Sequence, residues 1–173
     1  MKKQLCDDLG VFLAHSATLE RESAERFYEL AAMMKVHNND QLHELFLTLA
    51  RFSVEHVNEV EAICREHQLP ELKPWDYHWP GEEAPESIDI EQLHYLMSPR
   101  EALQLVYKVE LGAEAFYRSV ALESGNETIR DYAQNFAAEE HEHAEAAKSM
   151  LAKIPPQEPA DRGLDLDPPV MPE

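Results

Sequence analysis

Four long stretches of this chain repeat apolar residues at helical spacing, and the connections between them are short, long and short. The first runs from about Asp8 to Lys35, with Phe12, Leu13, Ser16, Glu20, Ser23, Ala24, Phe27, Ala31 and Met34 on one face. The second runs from about Gln41 to His67, with Leu42, Leu45, Phe46, Leu49, Ser53, His56, Val60 and Ile63 in line. The third opens at "SPRE" and reaches about Leu122, carrying Leu103, Val106, Glu110, Ala113, Tyr117 and Val120. The fourth spans about Glu127 to Lys153, with Ile129, Phe136, Glu140, His143, Ala147 and Met150. "VHNND" and "SGNET" are tight turns, so each flanking pair is antiparallel. A helix of about 25 residues is roughly 37 Å long, and an extended chain covers that distance in about 11 residues. The segment after Pro70 is long enough to return along the whole bundle and still hold a short helix. The expected fold is all-α: four helices, with one long crossover between the second and third.

Local signals agree. Asn39 or Asp40 can cap the second helix. Ser98, Pro99 and Glu101 form a capping box with proline at the first helical position. "PWDYHWP" puts aromatics in the crossover, where they read as a plug on the side of the bundle, and "IDIEQLHYLM" is a short apolar piece after it. Beyond Ile154 the chain is acidic, Pro-rich and poor in core residues. Residues 1–154 therefore read as one helical domain and 155–173 as a disordered tail.

With 34 acidic against 15 basic residues, the formal net charge is −19. That balance opposes nucleic acid, whose phosphates need Lys and Arg, and opposes docking on an anionic membrane. It attracts cations. Asp7 and Asp8 interrupt the N-terminal segment before any long apolar run, so no signal peptide or transmembrane helix is expected. Cys6 and Cys64 form no metal-binding spacing and fit a reducing, cytoplasmic setting.

The apolar stripes are interrupted by ionisable residues. Glu140 and His143 lie one helical turn apart on the same face, between Phe136 and Ala147. Glu20, His56 and Glu110 occupy the stripes of the other three helices, each near mid-length. In an antiparallel bundle all five reach a similar level. Buried carboxylates are costly without compensation, and a metal ion supplies it. Carboxylate and imidazole donors suit iron and manganese and tolerate zinc. The halves also look alike: "ERESAERFYELAA" in the first helix parallels "ELGAEAFYRSVA" in the third, each with Glu seven residues before an aromatic.

On these residues the sequence resembles the rubrerythrin-type members of the ferritin-like superfamily, over about Asp8 to Leu151. The resemblance implies a ferritin-like bundle holding a di-iron carboxylate centre, with Glu20, His56, Glu110, Glu140 and His143 as ligands. It implies a homodimer and an oxidoreductase acting on peroxide or dioxygen. Two departures stand out. The family carries Glu-x-x-His on the second helix, and here "SVEH" puts Ser53 three residues before His56. Glu59 could supply the missing oxygen, water on Ser53 could fill the position, or a single ion could bind on the Glu110, Glu140 and His143 side. The rubredoxin-like cysteine pairs are also missing, so an enzyme of this kind needs an external electron donor. Tyr117 is the aromatic hydroxyl at the paired positions, placed to hydrogen-bond a ligand carboxylate from behind. Glu59, Glu114 and Glu139 read as solvated charges, and His141 as facing away. Two other readings stay open: an iron-binding module for handling or sensing without turnover, and a metal-free helical interaction protein whose Glu and His groups pair with each other.

Overall fold

The computed structural model describes residues 2–79, 84–85 and 97–155. Most of "IDIEQLHYLM" and nearly all of the acidic tail lie outside them. Among the described residues there are five α-helices: α1 (Lys2–Asp7), α2 (Leu9–Val36), α3 (Asp40–Arg65), α4 (Pro99–Glu123) and α5 (Glu127–Lys153). A 3-10 turn covers Pro74–Asp76. The four long helices stand where the periodicity predicts them, within two residues at each end. Helix α1 has no counterpart in the sequence reading. Its six residues are too few to show a period, and the helix is held by its junction with α2, where the Asp8 side chain accepts from the Val11 amide at 3.1 Å.

Each long helix starts at a side chain that satisfies amides the helix leaves unpaired. Asn39 accepts from Leu42 N at 3.2 Å. The Ser98 hydroxyl accepts from Glu101 N, and the Glu101 carboxylate accepts from Ser98 N at 2.8 Å, closing the expected capping box. Asn126 caps α5 by accepting from Thr128 N at 3.0 Å. Asn38 turns the chain between α2 and α3 at φ 56°, a left-handed conformation that asparagine tolerates better than most residues.

Helix α2 packs along α3 and α4 along α5, as two antiparallel hairpins. Their shared core is split into two apolar clusters. One contains Phe12, Leu13, Leu19, Val60, Phe116, Tyr117, Ile129 and Phe136. The other contains Phe27, Met34, Leu42, Phe46, Leu49, Val106 and Ala147. The layer between them is where Glu20, His56, Glu110 and Glu140 fall. The described residues of the crossover pack on one flank of the bundle. Tyr77 donates to or accepts from Thr18 Oγ1 at 2.8 Å, the His78 amide donates to His15 Nε2 at 3.1 Å, and Trp79 packs edge-on against Phe116. Gly112 lets the crossover approach α4: a Cβ there would lie 2.9 Å from the Pro85 carbonyl oxygen. No helix among the described residues is long and apolar enough to cross a membrane.

Candidate metal centre

Five side chains from four helices face one another across the layer that divides the core. Glu20 comes from α2, His56 from α3, Glu110 from α4, and Glu140 with His143 from α5; all five line one cavity. Glu20 and Glu140 are 2% and 1% exposed, and His56 and Glu110 are buried with them. His143 is part-buried. The helical period explains the convergence: one turn separates Glu140 from His143, so the same face of α5 delivers both.

The donor atoms run in a chain. His56 Nδ1 is 3.0 Å from Glu20 Oε2 and 3.4 Å from Glu140 Oε1. His143 Nδ1 is 3.4 Å from Glu140 Oε2 and 3.8 Å from Glu110 Oε2. Glu140 thus turns one oxygen toward each histidine. Its Oε1 is fully buried and has no hydrogen-bond partner among the described residues. Such an atom is costly to bury. Two donors about 2.1 Å from one cation, about 90–110° apart, lie roughly 3.0–3.4 Å from each other. The spacing here matches that separation for Glu20, His56, Glu140 and His143, and donor atoms of His56, Glu140 and His143 lie within 4.8 Å of one another. The residues present fit a cation of the iron, manganese or zinc type.

Two further contacts hold the cluster. The Tyr117 hydroxyl, fully buried, donates to Glu20 Oε1 at 2.9 Å and leaves Oε2 for the cavity. His56 Nε2 lies 2.6 Å from Glu139 Oε2. A proton on Nε2, donated to Glu139, leaves the Nδ1 lone pair facing Glu20 and Glu140, which is the tautomer a cation needs.

The electrostatics follow from burial. Burial pushes the Glu140 carboxyl up to about 8, and the neighbouring Glu20 charge adds to the effect. Burial, with the charge of Glu140, holds the Glu110 carboxyl well above the usual range. Burial alone would lower His56, but its hydrogen bonds to Glu139 and Glu20 outweigh that and raise it to about 11. Without a cation the cluster therefore keeps protons that a cation would displace.

A model of the Rubrerythrin family matches residues 12–151, which contain every one of these side chains. The chain belongs to the Rubrerythrin family. A solved structure of an uncharacterized conserved protein from Magnetospirillum magnetotacticum MS-1 is 36% identical, with a TM-score of 0.66; the match covers 87% of this chain and 97% of the other. No curated protein matches. The fold is accordingly the all-α ferritin-like bundle.

Against the rubrerythrin pattern, the structure brings Glu20, His56, Glu110, Glu140, His143 and Tyr117 together. It does not bring in Glu59, which is exposed and does not line the cavity. Ser53 does line it, but its hydroxyl donates to the Leu49 carbonyl at 3.2 Å, along its own helix. Glu139 and Glu114 differ from their reading as solvated charges. Glu139 reaches His56 across the interhelical groove. Glu114 is 8% exposed and is held by Arg118 at 2.6 Å and His141 at 3.2 Å on the side away from the cavity. The Glu114–Arg118 pair follows the i,i+4 spacing of α4, but the His141 and His56 contacts carried no sequence signal, because each depends on how closely two helices approach.

Proposed function

We propose that this rubrerythrin-family chain binds iron through Glu20, His56, Glu110, Glu140 and His143, and acts as an oxidoreductase on peroxide or dioxygen. The observation that carries the reading is the buried Glu140 carboxylate, which turns one oxygen toward each of two histidines and leaves Oε1 without a hydrogen bond among the described residues. Glu20 and His56 would hold one ion and Glu110 and His143 a second, with Glu140 offering one oxygen on the side of each histidine. Manganese or zinc would suit the same donors. Ferrous iron, when bound, supplies the electrons that reduce the oxygen substrate.

The protein's own residues do the rest. Tyr117 fixes Glu20, and Glu139 fixes the His56 ring. Glu110 and Glu140 release protons as a cation enters. The aromatic cluster of Phe12, Phe116, Tyr117 and Phe136 keeps water from one side of the layer. A homodimer and an external electron donor complete the proposal.

Ser53 favours a second reading, an iron-binding module without turnover, because one carboxylate of the family pattern is gone. Ferrous iron with peroxide and a reductant separates the two. Repeated turnover supports the oxidoreductase; a single stoichiometric oxidation supports the module.

A further inference from the structure

The cavity that the cluster lines at one end is larger than dioxygen or hydrogen peroxide needs. Its volume is about 290 Å³. A water molecule takes about 30 Å³ of liquid, and an apolar protein cavity of about 150 Å³ is enough to bind benzene. The end away from the cluster is walled by Phe27, Leu49, Phe52, Val106, Ala147 and Met150. These walls offer no hydrogen bonds to water. Phe52 is 51% exposed and, with exposed Lys153, marks where the cavity meets solvent.

Ser53 explains the room. It lines the cavity one turn from His56, and its hydroxyl is tied to Leu49. A glutamate at this position would carry its carboxylate into the space between the cluster and the apolar wall. The small residue removes a charge and leaves volume at the same place.

We propose that this cavity binds a small organic hydroperoxide, its hydrocarbon body against the apolar wall and its –OOH group at Glu140 and His143. The chemistry at each end selects this class. Three carboxylates face the inner end, which disfavours an anionic head, whereas a hydroperoxide is neutral and both donates and accepts hydrogen bonds. The hydrocarbon gains by leaving water for the wall. The proposal rests on the metal-binding reading for its reaction: R–O–OH takes two electrons and two protons to give R–OH and water. The O–O bond breaks. The electrons come from ferrous iron, restored by an external one-electron donor, and the protons come from solvent.

The test separates binding from turnover. The probe is 2-phenyl-2-propanol, the alcohol product of cumene hydroperoxide, titrated calorimetrically into the metal-free full-length protein. One site per chain is expected, and Ala147→Phe should weaken it at least about tenfold by filling the wall. Thermal melting checks that the variant folds, and Met150→Trp at the part-buried end of the wall provides a second block. With the iron-loaded protein, the same variants should raise KM for cumene hydroperoxide more than KM for hydrogen peroxide. Absence of alcohol binding, or equal binding by folded variants, overturns the cavity assignment whether or not iron binds. Alcohol binding by a chain that takes up no iron overturns the hydroperoxide chemistry and the metal reading together.

Discussion

His56 is held between two carboxylates, with Nε2 2.6 Å from Glu139 and Nδ1 3.0 Å from Glu20. The two contacts have different consequences. The Glu20 contact is one a cation would replace, whereas the Glu139 contact would remain and set the ring's tautomer. Glu139→Ala should therefore weaken metal binding by about 10–100-fold. Competition against a chromophoric chelator measures this. An unchanged affinity would show that Glu139 does not orient the ring.

Proton release gives a second prediction. Glu140 is raised to about 8 and His56 to about 11, so binding below pH 8 must displace protons. Affinity should climb steeply between pH 6 and 8. Calorimetry in buffers of different ionisation enthalpy should detect at least one proton released per ion; a pH-independent affinity contradicts the account.

The same groups set the stability of the metal-free protein. A folded pKa raised above the unfolded value contributes stability that is fully present below the unfolded pKa and is lost as pH rises through the folded one. For Glu140 that loss runs from about 4.5 to about 8, and for His56 from about 6.5 to about 11. Both have the same sign. The metal-free melting temperature should fall from pH 5 to pH 9, and the iron-loaded protein should fall much less. Parallel pH profiles with and without iron would count against displacement of these protons.

How much of this was visible in the amino-acid sequence depends on the range of each interaction. Glu140 and His143 were legible because one helix and one turn define their relation. Glu20, His56 and Glu110 were legible because each interrupts an apolar stripe. Glu139 was not, since its neighbour in sequence already occupies the stripe and its partner lies on α3. Glu114 was hidden in part for a similar reason: Arg118 stands one turn away on its own helix, but His141 reaches it from α5. Tyr117 could be placed near a ligand from its heptad relation to Glu110, but the carboxylate it bonds belongs to Glu20, across the bundle.

Tyr117→Phe removes that bond without changing the packing of the ring among Phe12, Phe116 and Phe136. Losing a hydrogen bond to a charged acceptor costs about 1.5–3 kcal/mol, or roughly 3–12 °C at about 2–4 °C per kcal/mol for a chain of this size. Differential scanning calorimetry of the metal-free protein should show a drop in that range. No change in melting temperature would mean that the Tyr117–Glu20 bond contributes little.

Ser53→Glu restores a carboxylate where the rubrerythrin pattern has one. The variant should bind the ion beside Glu20 and His56 more tightly and take up 2-phenyl-2-propanol less well, because one side chain adds a donor and fills the cavity. Metal titration and calorimetry read the two effects separately. A change in neither property would show that position 53 faces neither the ions nor the ligand space.

The most direct measurement is the metal content of iron-reconstituted protein, by elemental analysis with anomalous diffraction to place the ions, for the parent chain and for Glu140→Ala. The account predicts one or two ions per parent chain among Glu20, His56, Glu110, Glu140 and His143, and their loss from the variant. A parent chain that takes up no metal, or a variant that keeps both its metal and its melting temperature, would contradict it.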